Sequence, residues 1–232
     1  MTSESIPKKI VGEPPVAINL SDAYALVTTD DHKRLYGKWA DNYDETFAAQ
    51  NRYRSPEKIA KLFAQVVPPQ ARAVIADVGC GTGLVGQYLA ESLPKSQIDG
   101  IDISVQMLAQ ARTKFRSNNS PVYRNLIEAD LTADFAITHG SYDALISVGT
   151  FTHGHLGPEI IRKLISVVRI GGSFVIGVNS QHFAARGFDL ALSELWQDKL
   201  ISAPELHEVQ IYDEGSNHFG DVANVLIFRR EQ

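Results

Sequence analysis

The chain has a single cysteine, Cys80, in 232 residues, so no internal disulfide can hold the fold and a reducing compartment is expected. Long apolar runs are missing as well. No window approaches the roughly 18 consecutive apolar residues of a membrane span, and residues 1–9 lack the apolar stretch of a signal peptide. The expectation is a cytoplasmic protein with no membrane partner. Positive charge is scarce: 22 Lys and Arg stand against 27 Asp and Glu, a formal net charge of -5. That balance argues against a surface built to collect phosphates, and so against nucleic acid as a partner. The densest basic stretch, Asn51-Arg52-Tyr53-Arg54 with Lys58 and Lys61, is interrupted by Pro56 and Glu57 and reads as a solvated helix start. Internal repeats and low-complexity tracts are also absent.

What is present is a chain 44% hydrophobic and 21% charged, long enough for one large α/β domain with a substantial core. Residues 1–29 carry Pro7, Pro14 and Pro15 without apolar periodicity and read as a flexible N-terminal arm, either a tail or a flap that closes on the site. Thr29-Asp30-Asp31 is a helix-capping signal. It opens a helical lid over 30–67 that contains Leu35, Tyr36, Trp39 and Tyr43, then a helix over 56–67 ended by Pro68-Pro69. From there strands and helices alternate: strand 73–78, helix 84–93, strand 97–102, helix 105–115, a strand within 122–130, strand 143–148, helix 158–168 and strand 173–178. After a helix over 189–200 come two β-like runs, 208–212 and 223–230, separated by a Gly, Ser, Asn and Asp-rich turn. The pattern predicts one domain over 30–232 with a Rossmann-like, doubly wound, mostly parallel seven-stranded sheet and an antiparallel terminal hairpin.

The stretch ADVGCGTGLVG, residues 76–86, overlays two glycine patterns. Counted from Gly79 it is G-x-G-x-G, the loop of S-adenosylmethionine (SAM) enzymes; counted from Gly81 it is G-x-G-x-x-G, the dinucleotide fingerprint. Both place backbone N–H groups against a ligand at a strand-to-helix turn. They differ in what precedes the loop. Asp77, two positions before Gly79, suits a ligand carrying an ammonium group and would repel a pyrophosphate. Asp102 ends the second strand about 23 positions after Gly79, near the roughly 20 expected of a carboxylate that holds ribose hydroxyls, a feature shared by both cofactors. Asp130, at the end of the third strand, is placed to accept a hydrogen bond from an adenine amino group.

In order along the chain, IADVGCGTG, GIDISVQMLAQAR, EADL, YDALISVGTFTH and RIGGSFVIG resemble the class I SAM-dependent methyltransferases of the small-molecule type, and LYGKWADNYDETF with YRSPEKIAKLF resembles the methyltransferase-like protein 27 subgroup. The resemblance implies SAM as cofactor. It also implies that Gly79, Gly81 and Gly83 pass beneath the methionine and ribose portion, and that Asp77 orients the loop or receives the ammonium group. Asp102 would hold the ribose, Ile103 and Met107 would lie against the adenine, Asp130 and Leu131 would frame its edge, and Val148 would lie beside the sulfonium. Tyr43, in WADNYD, is the candidate lid tyrosine. His153, after the fourth strand in GTFTHGHLG, is the candidate general base. His153 and His155 form an H-x-H pair without a third ligand nearby, so no metal is expected. Cys80 fits its place as a small loop residue and not as a nucleophile. The implied activity is methyl transfer to a small-molecule acceptor by in-line displacement. The alternatives are a SAM-consuming lyase or cyclase releasing methylthioadenosine, and a SAM-binding protein without turnover. The oligomeric state is not legible.

Overall fold

A computed structural model describes residues 29–68, 72–133, 137–152 and 156–232. The arm expected at 1–29 therefore lies outside the described residues except for Thr29, which begins the first helix. Seven strands form one sheet: Val74–Val78 (β1), Gln97–Asp102 (β2), Tyr123–Glu128 (β3), Tyr142–Phe151 (β4), Val168–Asn179 (β5), Glu205–Gln210 (β6) and Val222–Arg229 (β7). Their order across the sheet is β3-β2-β1-β4-β5-β7-β6. All pairings from β3 through β5 are parallel, and β7 runs antiparallel to both β5 and β6. Six strands thus point one way and β7 alone is reversed.

The helices are Thr29–Trp39 (α1), Ser55–Val66 (α2), Leu84–Ser92 (α3), Val105–Ala111 (α4), Glu159–Ile165 (α5), Ser180–Arg186 (α6) and Phe188–Gln197 (α7), with a π-helical segment, Tyr43–Ala49, between α1 and α2. Alternate residues of β1 serve opposite faces of the sheet. Ile75 packs with Ile59 and Phe63 of α2 and Leu89 of α3, whereas Ala76 and Val78 pack with Ile161 and Leu164 of α5 and Leu192 of α7. Burial on both faces explains why β1 reads as an almost unbroken apolar run. Among the described residues no helix is long and apolar enough to cross a membrane.

The chain builds outward from β1 to β3, then crosses to β4 and β5 on the other side. The connections after β1 and β4 leave in opposite directions, which opens a crevice at the carboxyl ends of these two neighbouring strands. Every candidate site residue from Asp77 to Val148 lies on or just after one of the first four strands or at the start of α4.

Several boundaries differ from those expected of the sequence. The helix expected over 105–115 stops at Ala111, because Thr113 and Lys114 turn back to the Gln110 and Ala111 carbonyls at 2.9 and 3.1 Å. The third strand ends at Glu128, which leaves Asp130 in the following loop. Helix α6 was not anticipated: Ser180-Gln181-His182 has no apolar rhythm. Its start is fixed by the Asn179 side chain, which accepts from the amides of Gln181 and His182 at 3.0 and 3.2 Å.

Gly86 lies buried in α3, and a Cβ added there would land on the Tyr123 phenol. Alanine gains about 1 kcal/mol of helix propensity over glycine, but overpacking costs about 1–3 kcal/mol. The same clash pushes Tyr123 off its hydrogen-bond partner. Gly86→Ala is therefore expected to be destabilising by about 1–2 kcal/mol in urea denaturation; a midpoint equal to or above wild type would show that Tyr123 yields without penalty.

Candidate functional site

The turn after β1 begins at Gly79, whose φ of 69° favours glycine and whose added Cβ would collide with the Thr150 side chain. The amides of Gly79 and Cys80 donate to the Ile101 carbonyl of β2 at 2.7 and 3.1 Å. The next amide, Gly81, donates to Oδ2 of Asp102 at 2.9 Å, and the Ser104 amide donates to Oδ1 of the same carboxylate at 2.8 Å. Ser104 in turn caps α4, its hydroxyl accepting from the Met107 amide at 3.2 Å. One carboxylate at the end of β2 therefore fixes both the glycine turn and the entry to α4. Burial pushes the Asp102 carboxyl above its ordinary range, while the amides of Ser104, Gly81 and Ile103 pull it back.

A cavity of about 340 Å³ opens at this edge of the sheet. Gly79, Gly81, Asp102, Ile103 and Met107 line one side, joined by Asp130 and Leu131 from the loop after β3 and by Val148 of β4. Tyr43 lines it from the N-terminal helices, together with Phe47 and Tyr53, and Tyr212 closes it from the segment after β6. Met107 is both a wall of the cavity and a member of a small core with Trp39 and Tyr36. Asp130 accepts from the amide and hydroxyl of Thr132 at 2.9 and 2.6 Å. Burial would raise its carboxyl, but those two bonds, the Ala133 amide and the Lys33 charge hold it below its usual range.

Three expected positions fall elsewhere. Asp77 does not reach the cavity wall: it is fully buried behind the glycine turn, where its Oδ2 accepts from the Tyr123 hydroxyl at 2.7 Å. Its Oδ1 has no hydrogen-bond partner among the described residues. Burial raises this carboxyl to about 7, with a further push from Asp102 and against the pull of Tyr123 and of the Gly86 amide. Gly83 also lies off the wall. Its φ of 94° turns the chain into α3, and an added Cβ would meet Tyr123, Lys114 and Ala111, so its smallness serves packing. His153 and His155 lie outside the described residues. Cys80 lines the cavity but is 4% exposed, and burial pushes its thiol up, which keeps it protonated and poorly nucleophilic.

Sequence reasoning missed two ties that shape the cavity. Asp44, in the π-helical segment, accepts from the Thr82 hydroxyl of the glycine turn at 2.5 Å and from Lys114 at 2.6 Å. Further on, Tyr53 pairs with Tyr212 as an isolated bridge, and the amides of Arg54 and Ser55 donate to the Ile211 carbonyl at 2.9 and 3.2 Å. Such long-range contacts leave no periodic trace in sequence.

The Asp77 carboxyl rises on folding from an ordinary 3.8 to about 7. Between these values the folded chain holds a proton that the unfolded chain has released, so this group's contribution to stability falls as pH rises from about 4 to 7 and then levels. Asp77→Asn removes the ionisation and keeps an acceptor for Tyr123. The variant is expected to gain on wild type across that window, by at most about 4 kcal/mol above pH 7 at 1.36 kcal/mol per pH unit. Thermal denaturation of both proteins at several pH values checks this, and a constant difference between them would refute it.

A methyltransferase-domain family model matches residues 75–172, from β1 into β5. The chain is 30% identical over 161 residues to Homo sapiens methyltransferase-like protein 27, covering 68% of this chain and 62% of that protein. It is 27% identical over 152 residues to a trans-aconitate 2-methyltransferase of Rhodopseudomonas palustris, covering 63% and 55% of the two. The chain therefore spans less than two thirds of the length of these relatives. A solved structure of Haemonchus contortus phosphoethanolamine N-methyltransferase 2, in complex with phosphomonomethylethanolamine and S-adenosylhomocysteine, superposes with a TM-score of 0.62 at 13% identity over 87% of this chain and 59% of that one, a likeness of fold. The reversed strand inserted beside β5 and the glycine turn at the point where strand order changes direction agree with those matches, and residues 75–172 form a methyltransferase domain of the class I type, which draws its methyl group from S-adenosyl-L-methionine.

Proposed function

We propose that the chain transfers the methyl group of SAM to a small-molecule acceptor by in-line displacement. The observation that carries this reading is that one cavity is lined both by the glycine turn with Asp102 and Asp130 and by a set of aromatic side chains. When bound, SAM supplies an electrophilic methyl group on a sulfonium. Asp102 has lone pairs left after its two amide bonds and holds the ribose hydroxyls. Gly79 and Gly81 let the backbone approach the donor, Ile103 and Met107 press on the adenine, and Asp130 with Leu131 frames its edge. Val148 borders the reacting centre. Asp77 orients the turn from behind through its bond to Tyr123.

Residues 30–67 act as the lid of a single catalytic domain over 30–232. Tyr43 helps to exclude water and to position the acceptor. Burial, with the neighbouring Tyr53 adding to it, pushes its hydroxyl well above the ordinary range; at neutral pH it is a phenol that hydrogen-bonds and does not act as a base. The base role falls to His153 from its place in the sequence after β4. A small acceptor agrees with the names of the trans-aconitate and phosphoethanolamine enzymes, and the acidic chain supports the absence of a nucleic-acid partner.

Mass spectrometry of the nucleoside products tests the reading. With a cell-extract metabolite pool, S-adenosylhomocysteine should form, and it should not form from SAM alone; methylthioadenosine from SAM alone would favour a lyase or cyclase. Asp102→Ala is expected to weaken S-adenosylhomocysteine binding by about ten-fold or more. His153→Ala is expected to spare that affinity and slow turnover by about 100-fold, and unchanged turnover would remove the base role.

A further inference from the structure

One part of the cavity, reaching the glycine turn through Asp44 and Thr82, is walled by rings in unbroken contact. Centroids are separated by 4.8 Å between Tyr43 and Phe47, 5.6 Å between Phe47 and Tyr53, and 5.7 Å between Tyr53 and Tyr212. The wall is braced from outside, since residues 52–55 are hydrogen-bonded along 211–213. Among the described residues, no Lys, Arg or Glu side chain lines the cavity, and its two carboxylates, Asp102 and Asp130, are those the methyl-transfer reading gives to the nucleoside.

The basic side chains that flank the wall are committed elsewhere. Arg52 donates to the Glu214 carbonyl at 2.6 Å, Arg54 pairs with Glu57 at 3.1 Å and Asp213 at 3.3 Å, and Lys58 pairs with Asp213 at 2.8 Å. Arg186 is exposed beside Gly157 and Glu159. A carboxylate entering this part would lose its hydration and meet no cation on the wall. An ammonium group would recover from the ring faces only a fraction of what it lost.

We propose that this part of the cavity takes an uncharged acceptor with a flat aromatic body and refuses acceptors that carry a carboxylate or an ammonium group. The proposal rests on the methyl-transfer reading and narrows it to a substrate class. Three phenols of similar size and different charge test it: methyl para-hydroxybenzoate, para-hydroxybenzoate and tyramine. Each is titrated calorimetrically into the full chain saturated with S-adenosylhomocysteine, whose own binding is measured beforehand. The ester is expected to bind about ten-fold or more tightly than the acid and the amine. Comparable or tighter binding of either charged phenol would overturn the proposal, as would binding of none of the three by a chain that holds S-adenosylhomocysteine. Failure to bind S-adenosylhomocysteine would instead fall on the methyl-transfer reading, and the three titrations, run without it, would still report the charge preference of the aromatic part.

Discussion

The amides of Gly81 and Ser104 both donate to one carboxylate, Asp102, at 2.9 and 2.8 Å, and the geometry of the cavity follows from that clamp. It stands at the last residue of β2 and ties together three pieces of chain: the turn after β1, the strand itself and the start of α4. A turn with glycines at φ 69°, 54° and 94° has many conformations open to it when unrestrained. Bonds from backbone amides to a charged oxygen are stronger than neutral ones and select among those conformations. The half-buried carboxylate loses hydration in the process, and the opposing effects on its protonation record both sides of that balance.

Two other buried carboxylates, Asp99 and Asp77, are served by very different partners. Asp99, also on β2, accepts from the Arg124 guanidinium at 2.9 and 2.6 Å, from the Asn125 amide and side chain at 3.1 Å, and from the Tyr142 hydroxyl at 3.3 Å. Its oxygens are well served, and the charge is neutralised where it sits. Asp77, one strand away, has the Tyr123 hydroxyl on one oxygen and no hydrogen-bond partner for the other among the described residues. Its proton balance is set by burial more than by partners. Asp44 supplies a third arrangement, in which a carboxylate joins separate parts of the chain by engaging Thr82 and Lys114 together.

The sequence made the sheet legible because its strands are short apolar runs punctuated by glycine and acid. Strand β2 occupies 97–102 as expected, and eight of the cofactor-side residues named beforehand, from Gly79 to Val148, line one cavity. Each lies close after a strand end, at the start of the following helix or at the end of the strand itself, where chain order and spatial order agree. Asp77 and Gly83 belong to the same motif yet sit beneath the turn, because spacing fixes a residue's place along the chain and not the depth of its side chain. Asp44 and Tyr212 were illegible for a different reason: their partners are distant in sequence, and a place in a helical lid or a β-like run does not say which distant residue a side chain meets. Helix α6 escaped because a single cap at Asn179 starts it among polar residues.

The two halves of the cavity are assembled from different portions of the chain. The glycine turn, Asp102 and Asp130 come from a continuous stretch between β1 and the loop after β3, whereas the aromatic wall needs Tyr53 and Tyr212 brought together, with the Arg52 guanidinium reaching the Glu214 carbonyl across 162 positions. Closing so long a loop carries a larger entropic cost than the contacts within the first half. During synthesis from the N-terminus, the donor side has all its residues long before the segment containing Tyr212 is made. The aromatic wall is therefore completed late, so a growing chain has the glycine turn and its carboxylates before it has an enclosed cavity.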